Sequence, residues 1–132
     1  MAADLQKTAV AALVAAWRPE SVFAGGEVPL APSTPYNVVS ASSGSAENYS
    51  LSAQFGSRSY RIAVQAFGET AGEVDFAVAK ADAAFLDKKL TVTGWDLTTA
   101  QVEAASPLLR DTDIGELLYK TVTYTLTAYP TE

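Results

Sequence analysis

Helix, strands, helix, strands is the order of elements that the apolar pattern of this sequence predicts. That order defines an α+β fold: one mostly antiparallel sheet with two helices packed on one face, in a single domain over residues 1–132. Three observations carry the prediction. Residues Arg58 to Gly94 read as strand, helix, strand. Val10, Leu13, Val14 and Trp17 recur at the i, i+3, i+4, i+7 spacing of a helix. Toward the C-terminus, Leu118, Val122, Tyr124, Leu126 and Ala128 share one strand face, with Thr121, Thr123, Thr125 and Thr127 on the other.

Taken in order, Ala2 to Trp17 is the first helix. Arg18-Pro19 ends it, because a residue before proline is pushed out of the helical region. Ser21 to Ala24 is a short strand stopped by Gly25-Gly26. Glu27 to Pro35 carries Pro29, Pro32 and Pro35 and is a loop or extended arm. Tyr36 to Ser42 is a strand centred on Val38 and Val39. The Ser- and Gly-rich stretch from Ser40 to Ser52 is polar, a long hairpin tip or a loop between strands, and a loop of that length in a small domain usually has a function.

In the next strand Tyr60, Ile62, Val64 and Ala66 alternate with Arg61, Ala63, Gln65 and Phe67. Thr70, with Glu73 three residues on, forms a capping box for a helix from Ala71 to Lys88. At about 100° per residue that helix has two apolar stripes. Val74, Ala77, Val78, Ala81 and Phe85 form one; Phe76, Ala79, Ala83 and Leu86 form the other. One sheet covers one stripe. The second calls for another helix of the same chain or a neighbouring subunit. Leu90 to Thr93 is expected as a short strand and Trp95-Asp96 as a turn. Leu97 to Leu109 reads as a strand that Pro107 interrupts, hence an edge or a bulge. Arg110 to Asp113 with Gly115 is a polar turn before the last strand.

The bulk numbers remove whole classes of function. The chain has 132 residues, enough for one core without a metal or disulfide staple. It is 48% hydrophobic and 18% charged, which excludes global disorder. Net charge is −6 and the pI about 4.5, so no basic patch is long enough to grip a nucleic-acid backbone. With no Cys there is no thiolate nucleophile and no thiolate metal site; with no His, a Ser-His-Asp triad is impossible. The N-terminus lacks a basic region and a continuous apolar run, so neither a signal peptide nor a membrane span is expected.

No Gly-rich phosphate-binding motif occurs. Lys80, Lys88, Lys89 and Lys120 read as solvated lysines rather than partners for a reactive serine. Asp111 and Asp113, followed by Ile114-Gly115, lack the remaining spacing of a calcium loop and read as turn carboxylates. The expectation is therefore no catalytic residue, no metal and no cofactor: not an enzyme. A small carbohydrate- or peptide-binding module, using Tyr36, Tyr49 and Trp95 as stacking platforms, is the alternative from another class.

The succession of segments resembles a known family. Tyr36-Asn37-Val38-Val39 follows a proline-bearing loop. Arg58-Ser59-Tyr60-Arg61-Ile62-Ala63-Val64-Gln65-Ala66-Phe67-Gly68 precedes a helix that leads to Leu90–Gly94. Leu109-Arg110-Asp111-Thr112-Asp113 precedes a Tyr-rich strand from Tyr119 to Tyr129. This order, over nearly the whole chain, is similar to the tail terminator, or tail-completion, proteins of long-tailed (siphovirus-type) bacteriophages.

The resemblance implies a structural virion protein of the phage tail or neck, assembled in the host cytoplasm. It implies a ring, expected to be a hexamer, that ends growth of the tail tube at its head-proximal end. The partners it implies are the tail tube protein and a head-tail connector or stopper, with DNA passing through the lumen without specific binding. A head-completion, neck or tail-tube subunit is the alternative within the virion. On this reading Phe76, Ala79, Ala83 and Leu86 are the subunit interface. The candidate docking loops contain Pro29, Pro32, Tyr36, Ser43, Gly44, Ser45, Asn48, Tyr49, Arg110, Asp111 and Asp113.

Overall fold

Burial in this protein is divided between two faces of one sheet. The computed structural model describes residues 2–29, 32–43, 58–111 and 117–131. Among these, α1 (Ala2–Ala16) and α2 (Ala71–Phe85) lie on one face of a sheet of seven strands. The strands are β1 (Val22–Ala24), β2 (Tyr36–Ser43), β3 (Arg58–Gly68), β4 (Trp95–Leu97), β5 (Gln101–Ala105), β6 (Leu109–Asp111) and β7 (Leu117–Pro130). The result is the expected α+β architecture in one compact domain.

The long strands β2, β3 and β7 form the centre in that order, with the three-residue β1 beside β2. β2 with β3 and β3 with β7 are antiparallel, and β1 with β2 is the parallel exception. Along the far edge of β7 lie β4, β5 and β6 in succession, all antiparallel to it. Residues 95–111 are thus one edge strand broken twice. The register slips between Val102 and Ala104, which leaves Glu103 as a bulge. The edge position and the break between β5 and β6 at Pro107 match the expectation, while the bulge itself falls at Glu103.

α1 covers β1 and β2, and α2 covers β3 and β7. Leu5, Ala9 and Leu13 of α1 meet Val39, Ile62, Ala81, Phe85, Val122 and Tyr124 in the main core. Each large apolar side chain buried there contributes about 1.5–3 kcal/mol. The first α2 stripe is buried as expected, with Val74, Ala77, Ala81 and Phe85 all at 0% exposure. Buried Asn37 of β2 donates through Nδ2 to the Ala77 carbonyl at 3.0 Å, pinning α2 to the sheet.

The start of α2 follows its sequence closely. Thr70 Oγ1 accepts the Glu73 N–H at 3.2 Å, while Glu73 Oε1 accepts the N–H of Glu69, one residue ahead of the cap. Gly68 permits this close turn: a Cβ there would stand 2.6 Å from Glu73 Cβ and 3.0 Å from the Val74 nitrogen.

Three expectations are corrected. α2 ends at Phe85 rather than Lys88, because Asp87 takes a left-handed conformation (φ 58) that closes the helix, a place more often held by glycine. Leu90 to Thr93 is not a strand. Leu90 and Val92 are buried, but Val92 makes only an isolated bridge to Trp95 around Gly94, since the β7 edge is taken by β4, β5 and β6. Trp95-Asp96 is not a turn; it begins β4, paired with Tyr129 and Pro130.

Candidate functional site

The geometry offers surfaces rather than a cleft lined with reactive groups. The first is the outer stripe of α2. Phe76 is 50% exposed, the highest value among the large apolar side chains described. One edge of its ring rests against Trp17, with centroids 5.8 Å apart at 74°, and the Lys80 ammonium lies 5.2 Å from its centroid. Ala79 and Ala83 are exposed beside it, while Leu86 is half-buried against the core. Trp17, the residue after α1, therefore touches one end of this stripe and leaves the remainder open.

The second surface is the sheet face without helices. Across it, Phe23 of β1, Tyr36 of β2, Phe67 of β3 and Tyr119 of β7 form an aromatic row. Successive centroids are 5.7, 4.9 and 5.5 Å apart. Strand register explains the row: Phe67 is paired with Tyr36 on one side and Tyr119 on the other. Val38 and Leu117 complete the cluster, and Leu109 of β6, opposite Tyr119, is 40% exposed beside it. Sequence reading took Phe67 for a surface position of an alternating strand. The signal it passed over was aromatic residues in the outward phase of both β3 and β7.

Beyond the row this face turns polar. Thr121, Thr123 and Thr125 lie over Gln65, Ala63 and Arg61 in register. Arg61 reaches across to the bulge, its Nε and Nη2 donating to the two carboxylate oxygens of Glu103 at 2.7 and 2.9 Å. That guanidinium bond, chiefly, holds the Glu103 carboxyl below its ordinary range. On the opposite face, burial and then Asp82 push the Tyr124 hydroxyl far above the usual tyrosine range. Both perturbations come from structural partners.

The sequence-selected docking residues do not share one surface. Pro29 is exposed and Pro32 half-buried in the arm before β2. Tyr36 was expected in a docking loop but starts β2 and is buried at 3% exposure, because its ring stacks on Phe67. Arg110 and Asp111 were expected in a polar turn but belong to β6, paired with Leu118 and Leu117. Ser43 ends β2. Gly44, Ser45, Asn48, Tyr49 and Asp113 lie outside the described residues. Of the stacking platforms considered, Tyr36 is buried and half-buried Trp95 packs edge-on against Tyr60.

Among the described residues no group of three or more acidic side chains is placed to hold a metal ion, and no helix is long and apolar enough to cross a membrane.

No protein-family model matches the chain, and no curated protein sequence matches it. Solved structures do share its fold. A chain from the virion of a native gene transfer agent (GTA) particle superposes with a TM-score of 0.71 at 13% identity, over 96% of each chain. A second solved structure, known by a bare sequence identifier, gives 0.68 at 10% identity, over 98% of this chain and 94% of that one. At such identities the likeness establishes a shared α+β fold along the full length of the chain.

Proposed function

We propose that this protein is a structural subunit of a virion, acting through shape and apolar contact rather than chemistry. The observation that carries the reading is the end-to-end fold match to a chain of a virion particle, 96% of both chains. Within that class the chain acts as a tail terminator. It forms a ring, a hexamer, that caps the tail tube at its head-proximal end and joins it to the connector. The successive segments quoted above support this finer role, as does the open stripe of Phe76, Ala79 and Ala83, which suits a contact between unlike faces around a closed ring. The acidic balance, −6, lets DNA pass through a lumen without being held.

Deleting the gene and imaging the lysate tests the reading. Tails of uncontrolled length support termination. Tails of normal length without heads indicate a connector or neck subunit, and absence of tube indicates a tube subunit. Particles of normal form and number would remove the virion role itself. Measuring mass and symmetry tests the ring: six-fold closed rings are expected, or a monomer that becomes six-fold only on the tube, and a stable dimer, with no ring in assembled particles, argues against it.

A further inference from the structure

We propose that a groove on the outer flank of α1 is the socket that receives the Phe76 stripe of a second copy of this chain, an inference that rests on the ring-subunit reading and specifies its interface. The groove has a volume of about 510 Å3 and is walled by Val10 and Ala11 of α1, Ala24 of β1 and Ala41 of β2, with Lys7 and Glu27 also lining it. That volume falls in the range of about 300–1,000 Å3 typical of ligand-sized pockets.

The sequence makes this groove in two steps. β1 stops at Ala24 because Gly25-Gly26 turns the chain away, Gly26 taking a positive φ of 86°. β2 continues past it to Ser43, leaving its edge, among the described residues, without a strand neighbour after Val39. Gln6 of α1 covers that edge, its Oε1 accepting the Ala41 N–H at 3.1 Å. Above the edge, α1 carries no charge from Thr8 to Ala16, and beyond Gln6 and Lys7 its part of the wall, Val10 and Ala11, is small and apolar.

Apolar character and charge match the groove to the α2 stripe. Phe76 is half exposed, with the small, exposed side chains of Ala79 and Ala83 one and two turns further along the same face and Trp17 against one side of its ring. Lys80 lies over the Phe76 ring, and Asp75 precedes it, in an ion pair with Lys120 at 3.3 Å. The socket offers the complementary pair, Glu27 for Lys80 and Lys7 for Asp75. The faces also lie on different parts of the helix layer, α1 over β1 and β2, α2 over β3 and β7. A contact between unlike faces leaves one of each free on the outermost copies, so it closes into a ring or continues as a filament.

The chain has no Cys, which makes a direct test possible in the full-length purified protein. The double variant Ala24→Cys/Phe76→Cys, oxidised, is expected to give a ladder of disulfide-linked multimers ending in a closed species. Neither single variant should exceed a dimer. Circular dichroism and thermal melting verify that each variant is folded. In a second arm, Glu27→Lys weakens association about tenfold and Lys80→Glu in the same chain restores it, as coupled charges do.

A double cysteine variant that is never cross-linked, while the parent still forms rings, shows that copies meet elsewhere: the socket is wrong and the ring stands. Parent and variants that stay monomeric at every concentration and show no ring in assembled particles sink both. An Ala24→Cys thiol that resists a small thiol reagent in the monomer shows that the chain's own residues fill the groove, and the proposal fails.

Discussion

The Tyr124 hydroxyl donates to an Asp82 carboxylate oxygen 2.5 Å away, joining the middle of β7 to the flank of α2. The ring is fully buried and packs against Phe85 at 5.4 Å. Burial and the adjacent carboxylate both favour the neutral phenol, so the folded state keeps a proton that the unfolded chain releases near pH 10. Stability from this site is complete below about pH 10 and is lost as pH rises above it. Tyr124→Phe is expected to cost about 1 kcal/mol near neutral pH through the lost hydrogen bond, and to flatten the alkaline decline. Urea unfolding from neutral to alkaline pH measures both. Equal alkaline slopes in parent and variant would contradict the assignment.

The pair between Arg61 and Glu103 has the opposite pH sense. The folded-state carboxyl is held low, chiefly by the guanidinium hydrogen bond. Its contribution is present above the ordinary carboxylate pKa and disappears as pH falls through the depressed folded value. Both side chains are exposed, so the effect is small and is screened by salt. Glu103→Gln should therefore lose less stability than the parent on acidification, and added salt should narrow the difference. Unfolding midpoints at several acid pH values, with and without salt, would reveal the trend.

The cap of α2 is separable from its packing. Thr70→Ala removes the acceptor for the Glu73 N–H and is expected to cost about 1 kcal/mol, a fall of a few degrees in Tm. Glu73→Ala should cost less, since it frees only the exposed Glu69 N–H. A melting curve unchanged by Thr70→Ala would mean that tertiary packing alone sets where the helix starts.

Phe76→Asp distinguishes the two roles open to the outer stripe. Half the ring is exposed and the other half packs on Trp17, so monomer stability should fall by about 1 kcal/mol with the fold intact. Association between copies should weaken at least about tenfold, the loss expected of a central aromatic anchor. Sedimentation reads the second and thermal melting the first. Unfolding of the isolated variant would place Phe76 in the internal core and end its candidacy as an interface residue.

Local pattern by itself did not determine the burial of Phe67 on the helix-free face, but it determined the α+β class, both helices, the Thr70 cap, the helix-facing residues of β3 and β7, and the buried stripe of α2. These follow from periods of 2 and 3.6 residues, which each segment carries within itself. The inner stripe of α2 and the Thr face of β7 were legible for that reason. Only the tertiary structure decided partnership. Leu90 and Val92 alternate like a strand and are buried like one, yet have no strand neighbour beyond the Val92–Trp95 bridge. Trp95, Arg110 and Asp111 looked like turn residues and became strand because β7, 14 residues long, has an edge that three short segments share. Tyr36, Phe67 and Tyr119 are distant in sequence and became one aromatic row through register. The period of apolar residues is carried by each segment and its neighbours in sequence; pairing, and the burial of Tyr36 and Phe67 that comes with it, depends on which edges remain free once the whole chain has closed on itself.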